Sequence, residues 1–324
     1  MTTQPNVSVI VATYNSSDFV IETLESIKSQ TYPSIELIIS DDASSDTTVA
    51  LCRTWLDQHK NRFVKTTLLT VPVNTGVSAN CNRSMAATGS QWIKFIAGDD
   101  VLLPTCIEDN MSFVQDKPQI QILFSKVKVY KNTFETTNFI RVVPDQYPNN
   151  VMHPDMSASD QFKKLLLSDR ISYTPSFFFK KEAVLAVGGY DEANTAVEDY
   201  PMWLKLTRAG IRLDFMEKVT VGYRQHNKAL NNIETNVLFK PMELRTFSFR
   251  KKYVHPLLPW DIAYAERWQM GVKKLVHLAG MNIQNTISQG LYRFLTVYAN
   301  PFQYVISFRK KFLKAARTNT FYAN

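Results

Sequence analysis

Three times in its first hundred residues, this chain runs a short apolar, β-branched segment into polar or acidic residues. Val7 to Val11 leads to Thr13 and Asn15, Ile35 to Ser40 leads to Asp41-Asp42, and Phe95 to Ala97 leads through Gly98 to Asp99-Asp100. Helical spacing separates these runs. Val20, Leu24 and Ile27 recur as one face after Asp18, which can cap the helix, and the pattern stops near Tyr32-Pro33. Thr47 to His59 and Val77 to Ala87 read as further helices, with a strand over Thr66 to Val71 between them. Alternation in units of about 30 residues requires right-handed crossovers and predicts an α/β fold with a mostly parallel, Rossmann-like sheet flanked by helices. Such sheets bind ligands outside the carboxyl ends of their strands. Thr13, Asn15, Asp41, Asp42, Asp99 and Asp100 are therefore expected to converge on one crevice.

The residue types at those ends suggest the chemistry. Adjacent aspartates repel each other unless a cation or hydrogen-bond donors offset them. Hard divalent cations such as Mg²⁺ and Mn²⁺ take oxygen ligands and bridge a carboxylate to a substrate diphosphate. An isolated Asp-Asp is more often a plain turn, but this pair has acidic and polar company at the other strand ends. A second acidic pair, Glu198-Asp199, precedes the apolar helix positions Trp203, Leu204 and Leu206. A carboxylate there is favoured by the helix dipole and often serves only as a cap. Arg224 and His226 follow a strand predicted from Lys218 to Tyr223. The arginine fork suits a phosphate, whereas a lone histidine is more often a packing residue. His59, His153, His255 and His277 have no metal-ligand spacing among them. No G-x-G-x-x-G follows the first strand, which disfavours a dinucleotide dehydrogenase and a Walker-type phosphate loop.

The segments VSVIVATYN, IELIISDDASSDTT, NTGVSANCNRSMAATG, FIAGDDVLLP, GGYDE and EDYPMWLKLTRAG, in that order, resemble family 2 glycosyltransferases of the GT-A fold. Within that family the chain resembles bacterial surface-polysaccharide glycosyltransferases, which implies a role in polysaccharide biosynthesis such as O-antigen assembly. The likeness runs from about Val7 to about His226, and it implies a role for each matching residue. Thr13, Asn15, Asp41 and Asp42 would hold the nucleotide base and ribose, with Asn82 in the nucleotide loop. Asp99 and Asp100 would end the metal-binding motif, with Asp99 also facing the donor. Asp199, with Glu198 beside it, would be the catalytic base. Arg224 would meet the donor diphosphate, and His226 the diphosphate or the metal. Two positions depart from the family. Ala97 stands where an Asp is common, and Cys81 stands where the nucleotide loop often has Arg, so whether Arg83 replaces that cation is open. A single base opposite the leaving group implies direct displacement with inversion, so an α-linked donor gives a β-linked product.

A chain of 324 residues accommodates one large domain with an appended segment, or two domains. A catalytic domain is expected over residues 1–239, with a nucleotide half to about 105 and an acceptor half from 106, followed by a helical, basic region over 240–324. The last segment carries 14 Lys and Arg against 3 Asp and Glu, a net of +11, which leaves −3 on residues 1–239. It also holds the aromatic-rich stretch Leu291 to Phe308, followed by Arg309, Lys310 and Lys311, then Lys314 and Arg317. With Pro301 breaking its helix, this stretch suits the membrane interface better than a span. No nucleic-acid-binding motif accompanies the basic residues. Cys52, Cys81 and Cys106 form no paired framework, and the first residues show no leader pattern, so reduced thiols are expected. The leading expectation is a Mn²⁺- or Mg²⁺-dependent inverting hexosyltransferase, cytoplasmic and peripheral on the inner face of the plasma membrane. It would move a sugar from a UDP-linked donor to a lipid-linked saccharide. The alternative is a non-catalytic sugar-nucleotide-binding or scaffold protein of the same fold.

Overall fold

The computed structural model describes residues 4–145, 151–194, 197–226, 237–239, 241–313 and 321. It divides into two units: Met1–Phe162 with Arg170–Ala229, and Lys163–Asp169 with Leu230–Asn324.

In the first unit, β1 (Val7–Thr13), β2 (Ile35–Asp41), β3 (Lys65–Thr70) and β4 (Trp92–Ala97) pair in parallel in the order β3-β2-β1-β4. Every residue of β2 is buried, as is all of β1 except Ala12. Burial on both faces explains why these strands read as unbroken apolar runs rather than as alternations. The crossovers are α1 (Val20–Lys28), α2 (Thr48–His59) and α3 (Val77–Ala86). Val20, Leu24 and Ile27 bury one face of α1, as their spacing predicts. Phe19, and not Asp18, is the residue at the cap of that helix. It makes no side-chain cap bond, and the Ser16 carbonyl accepts from the Phe19 and Val20 amides.

Beyond β4 the sheet becomes mixed, and four of its eight pairings among the described residues are parallel. The chain leaves β4 through a tight turn into β5 (Val101–Leu102), without a crossover helix, so nothing there imposes parallel pairing. Then come α4 (Cys106–Gln115), β6 (Ile122–Lys131), β7 (Phe139–Val143), α5 (Ala158–Leu167), β8 (Phe178–Lys180), α6 (Lys181–Ala186), α7 (Asp199–Arg208) and β9 (Leu213–Gln225). β8 runs antiparallel between β4 and β6, β9 lies parallel to β6, and β5 closes antiparallel on β9. Trp203 anchors α7. It is fully buried, edge-on to Phe124 and Phe177 at 5.0 and 4.8 Å between ring centroids.

The second unit is helical: α8 (Pro241–Tyr253), α9 (Trp260–Leu278), α10 (Thr286–Arg293), a π-helical stretch Phe294–Tyr298, and α11 (Pro301–Leu313). Phe239, Val272 and Val276 form its core. Asn300, buried, donates to the Ala265 carbonyl at 3.2 Å just ahead of the Pro301 break. Among the described residues no helix is long and apolar enough to cross a membrane. Large apolar side chains nevertheless face solvent, including Ile287, Phe294, Tyr304, Phe308 and Phe312. Arg309 pairs with the buried Asp261 at 3.2 Å and lies over the Trp260 ring, whereas Lys310 and Lys311 are exposed. Lys314 and Arg317 lie outside the described residues.

Candidate active site

The ends of β1 and β2 are laced into one surface. Thr13 Oγ1 donates to Asp41 Oδ2 at 2.8 Å, and Asp41 Oδ1 accepts from the Ser44 amide at 2.8 Å. Asn15, at φ +50°, donates its amide to Ser44 Oγ and accepts from the Ser45 amide through Oδ1, both at 2.8 Å. Asp42 reaches the next loop, accepting from Thr75 N at 3.0 Å, Thr75 Oγ1 at 2.6 Å and Gly76 N at 2.7 Å. Burial opposes ionisation of Asp42, but hydrogen bonds from Thr75 and Arg83 hold its carboxyl below the usual range. Both aspartates are buried, so they shape the loops that leave Tyr14 and Asn15 exposed. Arg83 lies two residues beyond Cys81. Its guanidinium meets Asp42 at 3.0 Å and Thr75 Oγ1 at 3.1 Å, so its charge is paired with a buried carboxylate beside Cys81. Cys81 itself is a buried free thiol, as are Cys52 and Cys106.

The turn after β4 depends on a glycine. A Cβ on Gly98 would lie 2.8 Å from Thr13 Cγ2 and 3.2 Å from Ser16 Oγ, so no larger residue lets the turn approach β1 this closely. The two aspartates that follow part company. The Asp99 side chain is 28% exposed, and its Oδ2 lies 3.1 Å from His226 Nε2 at the end of β9. Asp100 is 1% exposed and accepts the Arg224 amide through Oδ1 at 2.9 Å. Burial, and then the charge of Asp99, push the Asp100 carboxyl well above its ordinary range.

Arg224 is buried as well. Its Nε donates to the Asp99 carbonyl at 2.8 Å, Nη1 to the Asn132 carbonyl, and Nη2 to the Glu22 carboxylate. Phe19 and Phe134 cover the guanidinium, with ring centroids at 4.7 and 4.3 Å, and Phe19 also packs on the His226 ring at 4.4 Å. His226 Nδ1 is buried with no hydrogen-bond partner. The described residues contain no group of three or more His, Cys, Asp or Glu placed to hold a metal. One outward carboxylate and one imidazole nonetheless fit a divalent ion that takes its remaining ligands from a diphosphate and water.

Asp199 is the first residue of α7, and Glu198 precedes it. Burial raises the Glu198 carboxyl. Burial also raises the Cys81 thiol and the Tyr190 phenol, and the charges of Asp199 and Glu198 raise both further, which sets this acidic pair beside α3 and the 188–192 loop. Asn82 ties α3 to that loop. Its Oδ1 accepts from Tyr190 N at 2.9 Å, and its Nδ2 donates to Tyr190 O at 3.0 Å and Glu192 Oε1 at 2.7 Å. Gly189, at φ +65°, is needed there, since a Cβ would sit 2.7 Å from Asn82 Oδ1. Lys205 of α7 donates to the Gly189 carbonyl at 2.8 Å. The sequence offered no sign that Phe19, Glu22 or Phe134 belongs to the site, because each acts through a partner distant along the chain. Tyr14 had one available signal, an aromatic residue flanked by Thr13 and Asn15 at a strand end.

A parallel half ending in acidic loops, a mixed half reached through an Asp-Asp turn, and an acidic pair at the start of α7 are the arrangement expected of the GT-A fold. The profile of Glycosyl transferase family 2 matches residues 8–185, and the chain belongs to that family. It is 24% identical over 255 residues to an uncharacterised glycosyltransferase of Methanocaldococcus jannaschii, covering 77% of this chain and 82% of that one. It is 26% identical over 226 residues to WfaP of Escherichia coli, a UDP-Glc:alpha-D-GlcNAc-diphosphoundecaprenol beta-1,3-glucosyltransferase, covering 68% and 77%. S. aureus TarS 1–349 in complex with UDP-GlcNAc superposes with a TM-score of 0.59 at 13% identity, over 98% of this chain and 89% of that chain. The match to the longer TarS chain covers only 37% of that protein. The mannosyltransferase PcManGT from Pyrobaculum calidifontis, in complex with GDP-Man and Mn²⁺, gives a TM-score of 0.51 at 16% identity, over 98% and 77%. At these identities the structural likeness is one of fold.

Proposed function

We propose that this family 2 glycosyltransferase is a divalent-metal-dependent, inverting hexosyltransferase that moves a sugar from a UDP-linked donor to a lipid-linked saccharide in surface-polysaccharide assembly. The observation that carries the reading is the outward Asp99 carboxylate, 3.1 Å from His226, at the carboxyl end of the sheet. In this reading Asp99 and His226 hold the metal, and Asp100 anchors the end of β9 from beneath. The ion, when bound, supplies Lewis-acid neutralisation of the leaving diphosphate. Thr13, Asn15, Asp41 and Asp42 form the nucleotide side, with Arg83 as its cation, and Asn82 braces the loop opposite.

Asp199 takes the proton from the acceptor hydroxyl, and the half-buried Glu198 sets its surroundings. Residues 1–239 supply the chemistry. The basic, aromatic-rich residues 240–324 place the enzyme on an anionic membrane surface, on the cytoplasmic face where sugar nucleotides are made. The lipid-linked acceptor is supported by the diphosphoundecaprenol-linked acceptor of the Escherichia coli relative, and the metal by the Mn²⁺ bound with GDP-Man in the Pyrobaculum structure. The test is a donor panel with lipid-diphosphate acceptors, read by mass spectrometry, on the parent protein and on Asp99→Ala. Transfer should require Mn²⁺ or Mg²⁺, stop in chelator, and be absent in Asp99→Ala. Binding without turnover across the panel would favour a non-catalytic protein, and full activity in chelator would remove the metal.

A further inference from the structure

We infer that Arg224 is a positioning residue for the Asp99–His226 pair, and not a ligand of the donor diphosphate. This deepens the proposed function and rests on its assignment of the metal to Asp99 and His226.

A phosphate-binding arginine must offer its fork to the cleft, with parallel N–H groups free to meet two oxygens. The Arg224 side chain is 2% exposed, and each of its three guanidinium nitrogens already has a partner within the fold. Those partners are the Asp99 carbonyl, the Asn132 carbonyl and the Glu22 carboxylate, with the Phe19 and Phe134 rings packed against the guanidinium. Reaching a diphosphate would strip the Glu22 pair and leave the Asp99 and Asn132 carbonyls, in part-buried bonds, without their donor. Leaving such a set of charge-assisted hydrogen bonds unmade is costly.

The same contacts explain how the turn presents one carboxylate and hides the other. The Arg224 amide holds Asp100 inward at 2.9 Å, and its Nε holds the main chain of Asp99 at 2.8 Å. Phe19 packs on the guanidinium at 4.7 Å and on the His226 ring at 4.4 Å, so one side chain touches both groups. His226 has no hydrogen-bond partner on Nδ1, so ring packing and the Asp99 contact orient it instead of the usual second hydrogen bond. Arg224 therefore joins α1, the acidic turn and the β6–β7 loop behind a two-ligand site. It acts through Asp99 and His226 without touching substrate.

Arg224→Lys, Arg224→Met and Phe19→Leu test this. Mn²⁺ binding in the presence of UDP, measured by calorimetry, should weaken by about 10–100-fold, as is usual when the support of a metal ligand is removed. The donor KM at saturating Mn²⁺ should stay within about twofold of the parent, since no donor contact is lost. In metal-free protein the imidazole ¹⁵N signals of His226, assigned by comparison with His226→Gln, should shift or broaden in each variant. Unchanged Mn²⁺ affinity with a donor KM raised about tenfold or more at saturating metal would make Arg224 a diphosphate ligand. Lower thermal stability with Mn²⁺ affinity and His226 signals unmoved would make it structural only. Either result overturns the inference. If the parent binds no Mn²⁺, the metal assignment fails, and the His226 signals alone then decide whether Arg224 positions that ring. Should Arg224→Met not fold, Arg224→Lys and Phe19→Leu carry the comparison.

Discussion

Asp199 opens α7 with the half-buried Glu198 beside it, and its proposed duty is to accept one proton. Asp199→Asn keeps the size and much of the hydrogen bonding but removes that capacity. Turnover should fall by about 10²–10⁴-fold, the usual worth of a general base, with the donor KM little changed. Initial rates at varied donor concentration decide it, and a raised KM with unchanged turnover would move Asp199 to substrate positioning. The acidic residues themselves were legible in the sequence, because strand and helix ends punctuate the apolar pattern. Their division of labour was not. Asp99 and Asp100 are neighbours in sequence, and the difference between them is made by Arg224, more than a hundred residues away. Arg224 read as a phosphate fork for the same reason, since its Phe19, Glu22 and Phe134 partners carry no local signal. Asn82 likewise spends both ends of its amide on the Tyr190 backbone and Glu192.

At the scale of elements, legibility follows burial and length. β1, β2, α2 and α3 appeared in the sequence within a residue or two of their ends, the strands as long apolar runs and the helices by their period, whereas α1 ends at Lys28 and not near Tyr32. β5 has two residues and β8 three, too few to show one, so the mixed half of the sheet could not be foreseen. β9 was expected only from Lys218 to Tyr223 and extends from Leu213 to Gln225. β4 carries a further oddity. Lys94 is fully buried, with Nζ donating to the Pro175 carbonyl at 2.6 Å, and burial lowers its pKa to about 8. The unfolded chain, with a lysine near 10.5, then binds more protons than the folded one between those values. Stability from this group should therefore rise with pH across that window, by up to about 3 kcal/mol at 1.36 kcal/mol per unit. Urea midpoints from pH 8 to 10 should climb more steeply for the parent than for Lys94→Met. Parallel profiles would mean that Lys94 titrates as an ordinary lysine.

For the whole molecule, the sequence shows the charge divided between −3 on residues 1–239 and +11 on residues 240–324. The proposed membrane attachment then has a screened and an unscreened part. Lys310 and Lys311 are exposed, whereas Arg309 is committed to Asp261, so the informative variant converts Lys310, Lys311, Lys314 and Arg317 to Gln. Sedimentation with anionic liposomes should weaken in that variant, and in the parent as salt rises and the Debye length shrinks from about 10 Å at 0.1 M toward 3 Å at 1 M. Tyr304, Phe308 and Phe312 should retain a salt-resistant remainder, because apolar insertion is not screened. Equal, negligible pelleting with anionic and neutral liposomes at low and high salt would withdraw the membrane claim. Transfer to a short soluble acceptor should persist in the Gln variant, since every proposed site residue lies within residues 13–226.

The Asp99–His226 contact joins the end of β4, in the parallel half of the sheet, to the end of β9, in the mixed half. A ligand held by both residues acts as a clasp across the fold as well as a reactant. By linkage, occupancy at about a hundred times the dissociation constant adds about 2.7 kcal/mol to the folded state. Sugar nucleotides offered with Mn²⁺ would therefore sort themselves by how far each raises the melting temperature. The donor becomes legible in heat resistance, before any acceptor is in hand.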